Sequence, residues 1–577
     1  MKGKSRKPGP SHRDSRNGSR GTAWLFFAVL ASALVIGFFL YSPAMRGPFL
    51  FDDAGLPFAS ATLQDRPLSD WVSGVRPLLM FSYWLNRTLW GESPVSYHAV
   101  NVLIHALNAA LVFVALRRLL TLGGWAERRI GPAAAGALVF LIHPLQTEAV
   151  SYIAGRSESL ATFFMLLAYV AFLYRRKESI SWSECVLVLA LFALAVLTKE
   201  NAVSLAGILV LTDVFWPVPF STRGLRQNWR LYALMVPGAM LAAAAVFRML
   251  ATASSAGFSM RGVAWYQYGF TQARVVFAYI RLALWPAGLS IDRDYAISHT
   301  VFERGAIFWL LLLAALLAAC FYLRRKYPLA CFGFLLFLVA LAPTSSIVPI
   351  ADPMVERRMY LPLLGLILIG CELSRRVRLS PPVMWSVGAV IVTLLSGWCY
   401  ARNQQFSHPE TLFADAAAQS THNSRPYVHL AHTLYEEGRC EEEIPYLERA
   451  DRLFANNYGI QMEWGGALEC LGRLEESSRR LQLAAQINPL GDAWEMLGLV
   501  YGAMNKPDES GAALRRAVQV KPDYASAHRS LAIWYEAVAD YAAAEREYSR
   551  SLALDSHDRQ ARLGLLRVSQ LLARQSR

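Results

Sequence analysis

Thr22-Ala-Trp-Leu-Phe-Phe-Ala-Val-Leu-Ala-Ser-Ala-Leu-Val-Ile-Gly-Phe-Phe-Leu-Tyr41 is an uncharged apolar run of 20 residues, and it decides the class of fold. A helix of about 20 apolar residues crosses a bilayer once. Residues 1–21 are rich in Lys, Arg, Ser and Gly, and we predict a disordered basic tail there. A cleaved signal peptide is the competing interpretation. Its apolar core usually has only about 7–15 residues, which favours an uncleaved membrane anchor.

Gly47-Pro-Phe-Leu-Phe-Asp-Asp-Ala54 follows a few residues later and places two adjacent carboxylates, Asp52 and Asp53, where the apolar run gives way to a polar loop. A carboxylate at the edge of a membrane bundle is costly to desolvate, so it lies in water or has a function. The simpler interpretation is a solvated pair, or a helix N-cap formed by Asp53. The unusual charges further along the chain favour the functional interpretation.

The composition indicates a membrane protein, because 54% of the 577 residues are hydrophobic and the mean hydropathy is +0.28. The net charge of +14 would suggest nucleic acid in a soluble protein. Here most basic clusters flank apolar runs, so they indicate topology and we expect no nucleic-acid partner. The seven Cys show neither zinc spacing nor a dense disulfide framework.

Ten further apolar runs predict a polytopic bundle of about eleven spans within residues 22–403. They lie near 97–116, 131–146, 158–174, 182–198, 201–216, 231–249, 304–323, 328–343, 359–373 and 382–400. Six basic clusters then fall on one side, which the positive-inside rule makes the cytoplasm. The N-terminus is therefore predicted to be cytoplasmic. The C-terminal region is predicted to be periplasmic or luminal, with the inner membrane as the location in a bacterium.

The predicted outer side collects the unusual polar residues of the bundle. They are Asp52, Asp53, His143, Glu148, Arg156, Glu158, Lys199, Glu200, Asp292, Asp294, Glu356, Arg357 and Arg358. The second run adds His98, Asn101, His105 and Asn108, whose spacing puts them on one helix face. Such a stripe faces the protein interior, either as hydrogen-bond packing between helices or as a wall of a cavity.

Residues 404–577 contain no further span and predict an outward-facing α-solenoid of tetratricopeptide repeats. Trp494, Leu497-Gly498, Tyr501, Leu514, Ala517 and Pro522 match the pattern of that 34-residue helix pair. The predicted repeats are 424–457, 458–490, 491–524 and 525–558, followed by a closing helix. Such arrays bind peptides or proteins, although a purely structural array is the alternative. Cys440 and Cys470 fall near facing turns of the first two repeats, where an oxidising compartment would permit a disulfide.

Several motifs in combination resemble the transmembrane and tetratricopeptide repeat-containing O-mannosyltransferases, a family with bacterial relatives of the same layout. They are Arg76-Pro-Leu-Leu-Met-Phe-Ser-Tyr-Trp-Leu-Asn86, Trp90-Gly91, Tyr97-His-Ala-Val-Asn-Val-Leu-Ile-His105-Ala-Leu-Asn108, His143-Pro144, Thr147-Glu148-Ala149-Val150, Gly155-Arg156-Ser157-Glu158, Lys199-Glu200, Glu356-Arg357, Tyr360-Leu-Pro362 and Ala401-Arg-Asn403. The resemblance covers nearly all of the chain after residue 22. It implies a C-type glycosyltransferase fold that takes a sugar from a polyprenyl-phosphate donor. It also implies that the acidic pair Asp52-Asp53 supplies the base.

Transfer from such a donor needs cations that stabilise the departing phosphate, and Arg suits phosphate through its planar fork. The candidates are Arg156, Lys199, Arg357 and Arg358, and the alternative for each is pairing with Glu148, Glu158, Glu200 or Glu356. We expect His98, Asn101, His105 and His143 to line the cavity together with those glutamates. Asp292-Arg-Asp294 resembles a metal-binding motif that is common by chance. A monophosphate donor does not require a metal, so we expect no metal and no cofactor beyond the lipid-linked sugar.

The predicted function is transfer of a sugar, with mannose as one candidate, to a hydroxyl of protein Ser or Thr on the outer face, with inversion. An enzyme of the same fold that glycosylates a lipid or a glycan is one alternative. A non-enzymatic membrane scaffold that displays the repeats is the other. The repeats favour a protein acceptor, because they are peptide-binding modules.

Overall fold

The computed structural model describes residues 12–59, 67–125, 129–175, 179–216, 218–252, 257, 260, 262–378 and 380–575. Over these residues the chain is helical and contains no β-strand, which confirms the predicted all-α class. The chain divides into two compact units between His408 and Pro409. The sequence placed this boundary a few residues earlier, between 403 and 404.

The first unit contains sixteen helices within the described residues. They are α1 (His12–Tyr41), α2 (Leu68–Val72), α3 (Pro77–Trp90), α4 (Pro94–Leu122), α5 (Ile130–Ile142), α6 (Thr147–Ser151), α7 (Arg156–Leu173), α8 (Trp182–Thr198), α9 (Ser204–Phe215), α10 (Arg223–Gln227), α11 (Trp229–Thr252), α12 (Trp265–Leu284), α13 (Ala306–Leu323), α14 (Pro328–Leu341), α15 (Leu363–Arg376) and α16 (Pro381–Phe406). Short 3₁₀ turns connect many of them. They are Ser42–Arg46, Phe51–Gly55, Pro144–Gln146, Ile153–Gly155, Glu200–Val203, Glu303–Gly305 and Glu356–Met359.

The first helix begins earlier than the sequence suggested, because α1 starts at His12. Residues 12–21, which we predicted to be disordered, form its first turns. Propagating a helix from an existing apolar segment costs much less than nucleating a new one, which accounts for the extension. Residues 1–11 of the predicted tail lie outside the described residues.

Five helical segments of the described chain are long and apolar enough to cross a membrane. They are Trp24–Arg46, Pro94–Leu122, Ile153–Leu173, Glu303–Leu323 and Pro381–Phe406. A sixth forms if Ile130–Ile142 and Pro144–Ser151, bent by 54°, count as one span. Each of the eleven predicted runs overlaps a helix, but several of these helices are too short for a ~30 Å hydrocarbon core at 1.5 Å per residue. The count of eleven spans therefore stays a prediction.

The core of this unit is a continuous apolar cluster around α4. Helix α4 packs against α1, α5 and α7, while α14 packs against α15. Helices α14 and α15 pack closely because Gly333 and Gly365 face each other, and a Cβ on either would collide with the other's carbonyl oxygen. Small residues of this kind let helix backbones approach in a membrane bundle. The bundle holds the ends of its helices, and so the 3₁₀ turns, in fixed positions.

The second unit is a row of antiparallel helix pairs. Its helices are α17 (Pro409–Ala418), α18 (Arg425–Glu436), α19 (Cys440–Leu453), α20 (Tyr458–Cys470), α21 (Leu474–Ile487), α22 (Gly491–Ala503), α23 (Pro507–Val520), α24 (Ala525–Ala537), α25 (Tyr541–Leu554) and α26 (Arg559–Gln575). Helices α18 to α25 form four pairs at the positions of the four predicted repeats. Packing explains why the repeat pattern has a small residue at the position of Gly498. A Cβ added there would lie 2.6 Å from Leu514 Cγ. The predicted α-solenoid is thus confirmed.

A disulfide joins Cys440, at the start of α19, to Cys470, at the end of α20, across a Cα–Cα distance of 6.3 Å. This confirms the pairing that the sequence permitted. The bond ties the second helix of the first repeat to the first helix of the second repeat. The other five cysteines are buried and unbonded.

Candidate active site

Several 3₁₀ turns of the first unit come together at the ends of its helices. The turn Phe51–Gly55 contacts Ile153–Gly155, and Glu356–Met359 contacts α6 and Pro144–Gln146. The turn Glu200–Val203 contacts α7. Residues far apart in the sequence thereby become neighbours, and most of the predicted site residues lie on these turns or beside them.

Asp53 is a buried carboxylate that anchors the turn carrying the acidic pair. Its Oδ1 accepts a hydrogen bond from the backbone N–H of Ala154 at 2.8 Å, and its Oδ2 accepts one from Leu50 N–H at 2.9 Å. Burial raises the pKa of Asp53 to about 7, although these two hydrogen bonds oppose the shift. Both carboxylate oxygens are therefore committed to the backbone, which gives Asp53 a positioning role.

Asp52 has the opposite environment, because its side chain is exposed. Its backbone N–H donates to the Tyr152 hydroxyl at 3.0 Å, which holds the main chain and leaves the side chain exposed. Phe51 before it has φ 47°, a left-handed conformation that is strained for a bulky residue. Strain of this kind persists where the surroundings hold it and often accompanies function. Of the two acids, Asp52 is the one whose carboxylate is open to a substrate.

Arg357 and Glu148 form an ion pair beside the acidic turn, which is the turn Phe51–Gly55 that carries Asp52 and Asp53. Arg357 Nη1 donates to Glu148 Oε1, and the Arg357 backbone N–H donates to Glu148 Oε2 at 2.8 Å. The guanidinium also lies 5.8 Å from the centre of the Tyr152 ring, which connects it to Asp52. Burial lowers the pKa of Arg357, but the negative charge of Glu148 raises it by more. The pKa of Arg357 therefore lies above that of a free arginine. Glu148 is only 2% exposed, whereas the Arg357 side chain is 26% exposed.

Lys199 and Glu158 form a second and more deeply buried pair. Lys199 Nζ donates to Glu158 Oε1 at 2.7 Å and to Ser157 Oγ at 3.1 Å, while Asn201 Nδ2 donates to Glu158 Oε2 at 3.0 Å. Burial lowers the pKa of Lys199, and its attraction to Glu158 opposes that shift. In this structure Lys199 is therefore paired with a glutamate, which was the alternative to a role in phosphate binding.

Arg76 is a member of this cluster that the sequence reasoning did not assign. Its Nε and Nη2 donate to the two carboxylate oxygens of Glu200 at 3.0 and 2.5 Å. Burial alone would lower the pKa of Arg76, but the hydrogen bond and charge of Glu200 raise it. The two side chains are 35% and 34% exposed, so the pair is open to water. Its position at the start of the Arg76–Asn86 motif was the only available signal.

Arg156 does not lie where a donor phosphate could reach it, and this part of the prediction needs correction. The residue is fully buried. Its guanidinium donates to Asn101 Oδ1 at 2.7 Å, to Asn86 Oδ1 at 2.9 Å and to Tyr97 O at 3.0 Å. Neutral acceptors and the Tyr83 ring, 4.6 Å away, surround the charge. Arg156 therefore holds α3, α4 and α7 together.

The predicted cavity wall on α4 is also corrected to hydrogen-bond packing between helices. His98 contacts Gly47 O at 3.3 Å, and Asn101 donates to Val150 O at 3.1 Å. His105 contacts the Tyr360 hydroxyl at 2.7 Å. His143, directly after α5, contacts Ala283 O at 3.0 Å. All four are at least 97% buried, so they pack between helices and line no open site.

Glu356 and Arg358 lie on the same turn as Arg357 but have different surroundings. Glu356 is 2% exposed and accepts from Arg293 Nη2 at 2.7 Å and from Ser290 N–H at 2.8 Å. Arg358 donates to Pro353 O at 3.3 Å and is partly exposed. Glu356 therefore fixes the loop that contains Asp292-Arg293-Asp294. Within the described part of the chain, no three His, Cys, Asp or Glu side chains are arranged to hold one metal ion.

Comparison with known proteins supports the assignment of tetratricopeptide repeats and shows which proteins have similar sequences. A family model described as a tetratricopeptide repeat matches residues 491–524. Protein O-mannosyl-transferase TMTC3 of Mus musculus is 22% identical over 551 residues, covering 84% of this chain and 57% of that protein. The human TMTC3 protein gives the same identity and covers 84% and 58%. Protein O-mannosyl-transferase Tmtc1 of Drosophila melanogaster is 34% identical over 208 residues, or 33% of this chain and 23% of that protein.

The resemblance to these transferases therefore extends over most of the chain, while the chain spans a little over half the length of the TMTC3 proteins. Among solved structures, a thermophilic TPR protein of Thermus thermophilus is 20% identical and covers 31% of this chain and 95% of its own, with a TM-score of 0.26. YrrB, described as a TPR protein with an unusual peptide-binding site, is 17% identical, with coverages of 28% and 84% and a TM-score of 0.24. Scores this low carry no argument, so the repeat fold rests on the family model and on the helix pairs.

Proposed function

We propose, from its similarity to protein O-mannosyl-transferases over most of its length, that this chain is a membrane glycosyltransferase. It transfers a sugar from a polyprenyl-phosphate donor to a hydroxyl, on Ser or Thr of a polypeptide, at the outer face of the membrane. The observation that carries the proposal is the acidic turn: Asp52 is exposed, Asp53 is buried and bonded to the backbone, and Tyr152 connects the turn to Arg357. An anchored carboxylate beside an exposed one presents a base in a fixed position.

Asp52 acts as the general base in this mechanism. Its carboxylate takes the proton of the acceptor hydroxyl while the hydroxyl oxygen attacks C1 of the sugar. The bond between C1 and the phosphate oxygen breaks, and polyprenyl phosphate leaves with the electron pair of that bond. A single displacement inverts the configuration at C1. Asp53 keeps the turn in place through its bonds to Leu50 and Ala154.

The departing phosphate gains negative charge, which cations in fixed positions stabilise. Arg76 and Arg357 are the best placed of the described cations, because both are partly exposed and both are held by a buried or half-buried carboxylate. Each has a planar fork that matches two phosphate oxygens. Arg358 is a third candidate on the same turn, whereas Lys199 is paired with Glu158. Arg156 has no part in this step.

The test is transfer by the full chain in liposomes. Purified protein, polyprenyl-phosphate mannose and a Ser/Thr-containing peptide should yield a peptide that is heavier by one hexose. Asp52→Asn should lower the rate by about 10²–10⁴ because Asn cannot accept the proton. Asp70→Asn is the matched control, since Asp70 is an exposed acid on the helix α2. Full activity of Asp52→Asn, with Asp70→Asn also active, would contradict the mechanism.

Two other functions give different outcomes in the same assay. An enzyme that glycosylates a lipid or a glycan would leave the peptide unmodified and would label a lipid or oligosaccharide fraction instead. A scaffold would label nothing and would not depend on Asp52. A tetratricopeptide repeat is matched at residues 491–524 and helix pairs of the same kind flank it. Arrays of such repeats bind peptides, which favours the polypeptide acceptor.

A further inference from the structure

The first tetratricopeptide repeat contains a buried acid that the proposed reaction does not use. Glu443, in the first turn of α19, is fully buried, and neither of its carboxylate oxygens has a hydrogen-bond partner. An ionised carboxylate without a partner is among the costliest groups to bury. Each such group in a folded protein calls for an explanation.

The next two repeats show that packing does not demand an acid at this position. Ser477 and Ser510 occupy the corresponding places, and their hydroxyls donate to Gly465 O at 2.7 Å and to Gly498 O at 2.8 Å. These bonds join the two helices of each repeat. An ionised Glu443 has no proton to donate to the corresponding carbonyl of Ala431. The first repeat therefore lacks the bond that joins the helices of the next two, and in its place carries a buried acid that a nearby cation can ionise.

The side chains around Glu443 are mostly acidic. Glu443 interacts electrostatically with Glu463 and with His432. His432 Nδ1 lies 3.2 Å from Glu463 Oε2, and its Nε2 lies 3.5 Å from Glu436 Oε1. Three carboxylates thus share one imidazole. Glu436 and Glu463 are 69% and 30% exposed, so a ligand can reach them from solvent.

The surface changes from acidic to apolar along the array. The first helices of successive repeats, α18, α20, α22 and α24, lie side by side. At the places that correspond to His432, α22 carries Leu499 and α24 carries Ile533, which are 46% and 47% exposed. A segment lying along these helices would meet carboxylates first and apolar side chains next.

We propose that this surface binds a lysine or arginine side chain of the acceptor polypeptide, with apolar residues of the same segment against Leu499 and Ile533. The proposal rests on the proposed function, because it takes the acceptor to be a polypeptide. Glu436 and Glu463 contact the cation directly. Glu443 lies beneath them, buried and without a hydrogen-bond partner. A bound cation favours its ionised form, and salt screens a buried charge of this kind little, so Glu443 adds to the attraction once the cation is bound. The cation adds positive charge to a cluster in which three carboxylates share the imidazole of His432.

The experiment measures binding of two fluorescent peptides to the full chain in detergent. The peptides are Ser-Leu-Lys-Leu-Ser and the same sequence with Gln at the centre. The lysine peptide should bind about tenfold more tightly, the factor that 1.4 kcal/mol of charge attraction gives. Glu463→Gln and Glu443→Gln should remove most of that preference. Glu509→Gln, the same change at an exposed position of α23, should preserve it.

Glu443→Gln separates a binding role from a structural one. Its amide can donate to Ala431 O as Ser477 and Ser510 do in their repeats, so the variant should resist proteolysis better while losing the lysine preference. Equal binding of the two peptides by the unmodified chain, or an undiminished preference in Glu443→Gln, overturns the proposal. Asp52→Asn should keep the preference and lose transfer, so the two proposals fail separately.

Discussion

Asp52 and Asp53 are adjacent in sequence, but their carboxylates have different roles. Asp53 accepts two backbone N–H groups, and an amide in its place can accept only one of them while its own NH₂ faces the other. We expect Asp53→Asn to lose about 1–3 kcal/mol of stability, the cost of an unpaired buried polar group. Thermal denaturation in detergent should show a lower midpoint, with partial transfer activity. Asp52→Asn should keep the midpoint. Equal midpoints for the two variants would mean that Asp53 does not anchor the turn.

Arg76 should act on donor binding. Arg76→Gln removes the fork that Glu200 holds, so a phosphate loses a charge-assisted contact. We expect the KM for the polyprenyl-phosphate donor to rise by about tenfold or more, the loss typical of a charged hydrogen bond. The KM for the peptide should stay unchanged. Arg87→Gln is the control, because Arg87 lies on α3, which begins just after Arg76, and pairs with the exposed Glu92. A rise in the peptide KM alone would contradict the assignment.

The sequence predicted which polar residues matter better than it predicted their roles. It identified the acidic pair and Glu148, Glu158, Lys199, Glu200 and Arg357, which the structure brings together at the same turns. It offered these glutamates as partners of the cations but could not say which side chains pair, because Arg76 and Glu200, like Arg357 and Glu148, meet only through tertiary packing. Arg156 was misjudged for the same reason. Two asparagines from other helices solvate it, and no local pattern reveals them.

Among the contacts between helices, the Cys440–Cys470 disulfide can be tested most directly. It fixes the start of α19 to the end of α20 and closes a loop, which restricts the unfolded chain. Denatured, unreduced protein should show five reactive thiols, and reduction should raise the number to seven. Cys470→Ser should expose α19 and α20 to protease earlier than Cys399→Ser exposes them. Seven thiols without reduction would show that the bond does not form.

Glu443 makes the first repeat sensitive to pH. Burial raises its pKa in the folded chain to about 8, against about 4.3 in an unfolded one. A raised pKa contributes stability that is present below about pH 4 and is lost as the pH rises through 8. Hydrogen exchange of α18 and α19 in the full chain should therefore show Glu443→Gln gaining protection relative to the unmodified chain between pH 5 and pH 8.5. A difference that stays constant over this range would contradict the assignment. Glu509→Gln should show no such trend.

Over the entire chain, periodic sequence patterns predicted the architecture. The lengths of the apolar runs were not enough to predict the number of membrane crossings. Apolar runs predicted the long helices of the first unit except α12, whose 20 residues fall in a stretch that we took for a loop. The 34-residue pattern predicted the repeats. The span count is harder, because α9, α14 and α15 have only 12 to 14 residues. The turn before α15 has buried residues, and irregular backbone inside a membrane is stable when protein covers it. Whether such a helix crosses depends on its neighbours, which its own sequence does not show.

The side of the membrane on which the repeats lie decides whether they can present an acceptor to Asp52. Six basic clusters predict that the repeats share the outer side with the acidic turn, and the Cys440–Cys470 bond is of a kind that persists in oxidising compartments. Alkaline phosphatase, which is active only outside, should be active when fused after residue 408. A fluorescent protein that folds only inside should stay dark there. Both reporters should give the reverse result after residue 325, between α13 and α14. A fluorescent fusion after residue 408 would place the repeats apart from Asp52 and leave a scaffold as the better account of the chain.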